Sequence, residues 1–99
     1  MNVVKSIDLI VKNPEIRGGS PCISGTGLRV TDLVMAHLFH KRTVDEIASD
    51  YEISLAQVYA ALAYYYEHKI ELDEDIRHQI IAARTAKKEL TSDRTSLLS

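Results

Sequence analysis

The spacing of apolar residues changes at Val30 and divides the chain into two kinds of sequence. All four glycines and both prolines lie before this residue, together with a β-branched run over residues 6–11 that predicts a strand. After it the chain has neither glycine nor proline, and apolar residues recur every three or four positions, as they do in helices. The pattern predicts an α+β fold, mostly α, with a short N-terminal β element.

The glycine-rich segment over residues 16–30 is predicted to be extended and rich in turns. Only residues 22–24 and 28–30 have the composition of strands, and the glycines between them permit the positive φ angles of a tight turn. We therefore expect residues 1–30 to form the β element.

Polar residues mark where the first three helices begin. Thr31 is expected to cap the first helix, which ends near residue 40. Thr43 with Glu46, and Ser54 with Gln57, are capping boxes that open a short helix ending at residue 50 or 51 and a longer helix. Two such boxes eleven residues apart predict a helix-turn-helix. The predicted apolar positions are Leu33, Val34, Leu38 and Met35 or Phe39 in the first helix, Val44, Ile47 and Ala48 in the second, and Leu55, Val58, Tyr59, Leu62, Tyr65 or Tyr66, and Ile70 in the third.

A fourth helix is predicted over residues 73–90. Acidic residues open it and Lys87 and Lys88 stand near its end, an arrangement that suits the helix dipole. Its apolar stripe, which predicts packing on the body of the protein or on a second subunit, is formed by Leu72, Ile76, Ile80, Ala83 and Leu90.

The predicted organisation is one domain over residues 1–90 with a tail. A homeodomain-like three-helix bundle containing the helix-turn-helix occupies residues 31–70, between the β element and the C-terminal helix. The Ser/Thr-rich segment over residues 91–99 is expected to be flexible. A chain of 99 residues is long enough for one hydrophobic core and too short for two.

Composition narrows the location and the chemistry. No apolar run approaches the roughly 20 residues needed to span a bilayer, so we expect no membrane association. The first residues lack the features of a secretory signal, and the expected location is cytoplasmic. Cys22 stands alone, which excludes an internal disulfide and a zinc ribbon.

The residues that resemble catalytic or cofactor motifs each have a simpler interpretation. His37 and His40 lie three positions apart with no further ligand at metal-binding spacing, and are predicted to be surface histidines. Cys22 in an apolar β context favours an inert buried thiol. The glycines over residues 18–19 and 25–27 lack the lysine of a phosphate-binding loop. We therefore expect no enzyme activity, no metal and no cofactor.

Charge is distributed unevenly along the chain. Residues 1–45 hold six Lys or Arg against four acids, and residues 77–99 hold five against two. Residues 46–76 hold eight acids against the single base Lys69. The ends are basic and the predicted helix-turn-helix is acidic, which opposes the phosphate contacts that dominate DNA binding.

If the helix-turn-helix binds DNA, its second helix would present Ser54, Ala56, Gln57, Ala60 and Tyr64 to the major groove. Gln57 would then read adenine, since a glutamine amide can bond both polar groups of that base edge. The cations available to contact DNA phosphates are Arg29, Lys41 and Arg42. Solvated surface charge is an equally good interpretation of these three cations.

The fourth helix has a basic stripe beside its apolar one. Arg77, Arg84 and Lys88 recur at spacings of seven and four, so they share one helix face. This stripe is suited to an acidic protein or to a phosphate backbone.

The chain resembles the domain of unknown function 433 (DUF433) family over about its first two thirds. The resemblance is carried by residues 13–16 (Asn-Pro-Glu-Ile), residues 18–23 (Gly-Gly-Ser-Pro-Cys-Ile), Gly25-Thr26, Val30, and residues 46–48 and 58–65. Gly27 and Arg29 stand where the family usually has arginine and proline, and Lys41-Arg42 replace a glycine before the helix-turn-helix.

The resemblance implies a small β element followed by a helical bundle, without catalysis, in VapB-type antitoxins that accompany PIN-like ribonuclease toxins. We therefore predict an antitoxin-like, DNA-binding component of a bacterial type II module that neutralises its toxin and represses its own operon. The alternative is a protein-interaction or dimerisation module in which the helix-turn-helix binds no DNA.

Two further predictions concern partners. A homodimer is expected, with the β segment or the last helix as its interface, because a single helix-turn-helix with few cations would bind DNA weakly. The toxin is expected at the last helix and tail, since the metal-binding carboxylates of a PIN-like active site attract cations. The predicted toxin contacts are Arg77, Ile80, Arg84, Lys88 and Arg94, with Ala83, Leu90, Leu97 and Leu98 as further apolar anchors.

Overall fold

A computed structural model describes residues 9–98 of the chain and the side chains of residues 9–91. The predicted α+β fold, mostly α, is confirmed. In chain order the elements are β1 (Ile10–Val11), a 3-10 turn (Arg17–Gly19), β2 (Cys22–Ile23), α1 (Val30–Leu38), α2 (Val44–Tyr51), α3 (Leu55–Glu67) and α4 (Lys69–Leu98).

The β element is a short antiparallel pair. Ile10 faces Ile23 and Val11 faces Cys22 in its register. The predicted strand over residues 28–30 is reduced to an isolated bridge between Arg29 and Cys22, because Val30 already begins α1. Positions 6–8 of the first predicted strand lie outside the described residues.

Helix α1 begins earlier than predicted, and its cap is Arg29 rather than Thr31. The carboxylate of Asp32 accepts a hydrogen bond from the backbone N–H of Arg29 at 3.0 Å, which fixes the first turn. Thr31 therefore lies inside the helix and is fully buried. This helix packs against α3 and α2, with Leu33 and Val34 in the core.

Both predicted capping boxes are present. The Thr43 hydroxyl accepts a hydrogen bond from the Glu46 backbone N–H, and the Thr43 N–H donates to the Glu46 carboxylate. Helix α2 ends at Tyr51, within the predicted range. Glu52 follows with a left-handed φ of 55°, and the Ile53 N–H then bonds back to the Ala48 carbonyl. This arrangement stops the helix without a glycine.

Helix α3 buries Val58, Leu62 and Tyr65, as predicted, but the rest of the predicted stripe is exposed. Leu55 and Tyr59, predicted to be buried, are 45% and 58% exposed. Ala61 is buried instead, so the contact face is rotated from the predicted one toward this small residue. The side chains that α3 buries are Val58, Ala61, Leu62 and Tyr65, and α3 packs on α1, α2 and β1.

The core of residues 9–69 is formed by the β element and the three shorter helices. Its fully buried side chains come from β2 and from all three helices. Among them are Ile23, Val30, Leu33, Val34, Ile47 and Val58.

Helix α4 extends beyond both predicted ends. It begins at Lys69, one residue after α3, rather than at residue 73, and continues to Leu98 rather than to residue 90. His68, with φ −124° and ψ 35°, is the single non-helical residue between the two helices. Because no glycine or proline follows, nothing in the sequence stops the second helix.

The chain divides into two compact units, Met1–Lys69 and Ile70–Ser99. In the second unit Leu72 and Ile76 are buried, as predicted, and Ile80 is half-buried. Ala83 and Leu90, predicted to belong to the packing stripe, are exposed, as is Ile70. Within the described residues no helix combines the length and apolar content needed to cross a bilayer.

Candidate interaction surfaces

Arg29, which was predicted to contact DNA phosphates, forms an ion pair within its own helix region. Its guanidinium donates to Asp32 through Nη2 at 2.8 Å and through Nε at 3.2 Å, and each side chain is only 25% exposed. A cation whose charge is balanced by an adjacent carboxylate contributes little to phosphate binding, because breaking the pair offsets the new contact.

Arg42, also predicted to contact DNA phosphates, forms ion pairs with two carboxylates of α2. Its Nη1 lies 2.9 Å from Glu46 Oε2, and Nε and Nη2 both donate to Asp50. The hydrogen bonds to Asp50 raise the pKa of Arg42. The amide and hydroxyl of Thr43, followed by the charge of Arg42, lower the pKa of Glu46. The Arg42 side chain therefore stabilises α2 through its ion pairs and is not a free cation.

Of the three cations predicted to contact phosphates, only Lys41 is exposed and forms no ion pair with another side chain of residues 9–91. Its φ of 57° is left-handed. The turn before α2 is therefore made with a lysine in a conformation that glycine adopts without strain.

Two of the residues predicted to face the major groove, Ser54 and Gln57, use their side chains to cap α3. The Ser54 hydroxyl accepts from the Gln57 N–H at 3.1 Å, and Gln57 Oε1 accepts from the Ser54 N–H at 2.8 Å. Reading adenine requires both the oxygen and the amide nitrogen of a glutamine. Gln57 would have to leave the capping box before it could read a base in this way.

Tyr64, also predicted to face DNA, is half-buried beside the end of its own helix. Its ring stacks on His68 with centroids 4.1 Å apart, and His68 Nδ1 lies 3.0 Å from the Tyr64 carbonyl oxygen. The tyrosine therefore contributes to the break between α3 and α4, and its neighbour Tyr66 is the more exposed ring, at 60%.

A surface that the sequence reasoning missed lies on α3. Residues 55–66 contain no charged side chain, although one side of the helix faces outward. Leu55, Tyr59 and Tyr66 are each between 45% and 60% exposed, and their spacings of four and seven place them on one face. Glu52 and Glu67, both exposed, flank this stretch in the sequence. We call Leu55, Tyr59 and Tyr66 the aromatic face.

A second exposed surface follows the predicted basic stripe of α4. Arg77, Ile81, Arg84 and Lys88 recur at intervals of four, three and four, and all four are exposed. The three cations form no ion pair among the described side chains. We call these four residues the basic face. Ile80 lies beside it and is half-buried, whereas the side chain of Arg94 is outside the described part of the chain.

At least one cleft lies among the described residues. A cleft of about 240 Å³ is lined by Leu28, Asp32, Met35, Ala36, His40 and Tyr51. This is below the range of about 300–1,000 Å³ usual for ligand pockets. No group of three or more His, Cys, Asp or Glu side chains in the described part could hold a metal ion.

Cys22 is buried in β2, as predicted. Burial raises the pKa of its thiol above the ordinary value of 9.0, and Sγ lies 3.3 Å from the Ser20 carbonyl oxygen. A thiol held in its protonated form is a poor nucleophile. The structure therefore places this residue in the core.

Comparison with known protein families gives a match over the first two thirds of the chain. No curated protein and no solved structure gives a significant match. The family described as "Protein of unknown function (DUF433)" matches residues 10–65, which include both strands and all of α1 and α2 and most of α3. With more than half of its length matched, the chain belongs to the DUF433 family.

Proposed function

We propose that the chain is an antitoxin-like binding protein of a bacterial type II toxin–antitoxin module, and that it neutralises a PIN-like ribonuclease through the basic face of α4. The antitoxin role follows from the family resemblance. The observation that supports the surface is the contrast between cations: Arg29 and Arg42 are paired with carboxylates, whereas Arg77, Arg84 and Lys88 are exposed and unpaired among the described residues.

The chemistry of such a partner fits this surface. A ribonuclease that binds divalent metal with clustered carboxylates has a negative active-site cleft, which attracts arginine and lysine. Ile81, 53% exposed between the cations, provides an apolar contact, and the half-buried Ile80 lies next to it. Residues 77–91 hold four bases and one acid, so the segment approaches an acidic cleft without strong repulsion.

Removing two cations from the basic face is expected to weaken toxin binding by about 30- to 700-fold. Each charge-assisted contact at an interface is worth about 1–2 kcal/mol when truncated, and 1.4 kcal/mol is a factor of ten. We would combine Arg84→Ala with Lys88→Ala and measure the Kd by calorimetry against a purified PIN-like ribonuclease as the candidate toxin.

The matched control removes the same charge from elsewhere. Lys12→Ala with Lys87→Ala takes away two exposed cations, one in the N-terminal segment and one on α4 but off the basic face. The control should bind within about threefold of the wild type, as expected for residues outside the interface. Equal losses in the two double variants would show a general charge effect and contradict the proposed surface.

Operator DNA is a second candidate partner, favoured by the arrangement of α2 and α3. Three residues join these helices, as in a helix-turn-helix, and Lys41 is exposed beside them. The paired state of Arg29 and Arg42, and the absence of Lys and Arg over residues 43–68, oppose this function. Protein binding is therefore the better supported role for this chain.

The dependence of DNA affinity on salt distinguishes the two roles. One phosphate contact contributes about −0.9 to the slope of log K against log salt concentration, so Lys41 alone predicts a slope near −1 for each protomer. We expect this shallow slope, or no measurable binding, when promoter DNA is titrated at several salt concentrations. A slope of about −5 or steeper, reduced by Lys41→Ala with Arg42→Ala, would establish DNA binding through the predicted residues.

A further inference from the structure

The outward side of α3 carries a regular seam of small and aromatic side chains. Ala56, Tyr59, Ala63 and Tyr66 are all exposed and recur at intervals of three, four and three residues. This is the spacing of the positions through which paired helices pack on one another. We call these four residues the outer seam.

No charged side chain interrupts the outer seam. Residues 55–66 contain no Asp, Glu, Lys or Arg, and the exposed Glu67 follows the last seam residue. Tyr59 and Tyr66 are 58% and 60% exposed. The outward side of a solvated helix normally carries charge, so an uncharged seam with two exposed rings is typical of a surface that another helix covers.

The order of large and small residues favours a second copy of α3 as that helix. Tyr59 and Ala63 lie two residues on either side of the level of Ala61, and Ala56 and Tyr66 lie five residues on either side of it. An antiparallel copy related by a two-fold axis at this level therefore places each tyrosine level with an alanine of its neighbour. A ring beside a methyl group fills the contact, whereas two rings at one level crowd it and two methyl groups leave a gap.

We propose that α3 packs antiparallel on α3 of a second copy through the outer seam, giving a two-fold symmetric dimer. The axis crosses the helix pair at the level of Ala61, so a single contact closes the assembly. The two Glu67 carboxylates lie six residues on opposite sides of the axis, about 18 Å apart along the pair, and do not repel strongly. The interface is on α3, whereas the sequence predicted the β segment or the last helix.

This dimer bears on the alternative role of α3 in DNA binding. Ala56, which the sequence predicted to face the major groove, lies inside the contact. A helix covered on that side does not enter a groove with it, so the dimer favours protein binding over DNA binding. The contact uses no residue of the basic face, and its test requires no toxin.

The outer seam is short, which sets the expected strength of the dimer. Stable interfaces bury about 1,200–2,000 Å² in total, and coiled coils that stand alone have about three to four heptads or more. The outer seam has two. We therefore expect a reversible dimer, whose population rises with concentration in sedimentation equilibrium of the purified full-length chain.

Two variants with opposite charges at position 63 test the proposal. This position lies two residues from the axis, so its two copies are about 6 Å apart along the pair. Ala63→Glu and Ala63→Lys should each raise the dimer Kd by about tenfold or more, because like charges then meet in the seam. Mixed in equal amounts, they should form a heterodimer about tenfold or more tighter than either variant alone, since the charges now attract.

The matched control is Ala82→Glu, which makes the same substitution at an exposed position of α4. It should leave the dimer Kd within about threefold of the wild type, as expected outside an interface. Circular dichroism of each variant verifies that the helices are retained. A nitroxide label on Glu67→Cys reports the orientation, because two labels are about 18 Å apart along an antiparallel pair and level in a parallel one.

A wild type that stays monomeric at every concentration would overturn the proposal, and capture of another protein by the outer seam would then identify a different occupant. Charged variants that dimerise as tightly as the wild type, or a mixture that forms no heterodimer, would place the interface elsewhere. Labels found level with each other would contradict the antiparallel arrangement.

Discussion

Replacing Ile47 with alanine is expected to lower the free energy of unfolding by about 2–5 kcal/mol, the range measured for large-to-small substitutions in protein cores. Ile47 is fully buried and is the only residue of α2 that is. Its neighbours Val44 and Ala48 are half-buried. Without the Ile47 side chain, α2 loses its main apolar contact with the core, and the cavity left behind adds to the loss of burial.

Urea denaturation followed by circular dichroism measures this effect, with two variants for calibration. Ile47→Val removes one methyl group and should cost about 0.5–1.5 kcal/mol. Phe39→Ala removes a larger side chain that is 53% exposed, and should cost less than Ile47→Ala. If Phe39→Ala proves the more damaging substitution, the assignment of Ile47 as the anchor of α2 is wrong.

The parts of the fold that depend on a few neighbouring residues could be predicted from the sequence. The capping boxes at Thr43 and Ser54 form as expected, since their hydrogen bonds join residues three positions apart. The change of apolar spacing after Val30 correctly separated the β element from the helices. These features are set by local geometry, which the sequence contains directly.

The extent of burial could not be predicted in the same way. Tyr59 and Leu55 are apolar or aromatic and fit a helical stripe, yet the stripe that α3 buries includes the small Ala61. A close contact between helices favours a small residue, and which face makes that contact depends on the packing of α1 and α2 against α3. The exposure of the aromatic face therefore depends on tertiary packing.

Among the predicted sites, the DNA site differs most from the structure, because several of its side chains bond to other residues of the chain. The pairing of Arg42 with Glu46 has the i, i+4 spacing of a helical ion pair and was readable from the sequence. Its pairing with Asp50, eight residues away, depends on where the turn before α2 directs the arginine. Gln57 was assigned both to a capping box and to base reading, and the structure shows its oxygen engaged in the cap.

Deleting residues 85–99 is expected to abolish toxin neutralisation while leaving the rest of the chain folded. The deletion removes Lys88 of the basic face together with the other sequence-predicted toxin contacts beyond residue 84, which are Leu90, Arg94, Leu97 and Leu98. The described side chains from Thr85 to Thr91 are all exposed. The most deeply buried residues of α4, Leu72 and Ile76, remain. Because burial of apolar side chains dominates stability, the melting temperature should change little.

Growth rescue on co-expression with a candidate PIN-like ribonuclease measures neutralisation, and thermal denaturation of the purified protein measures folding. A chain in which residues 85–99 are replaced by a Gly/Ser linker of equal length controls for length, and should also fail because it lacks the helix and its charges. Lys88→Ala alone should weaken rescue without abolishing it, since Arg77 and Arg84 remain on the basic face. If the deleted chain folds and still rescues growth at the wild-type expression level, the toxin contacts lie within residues 1–84. They are then either on the remaining part of the basic face, Arg77, Ile81 and Arg84, or on the exposed faces of α1 to α3.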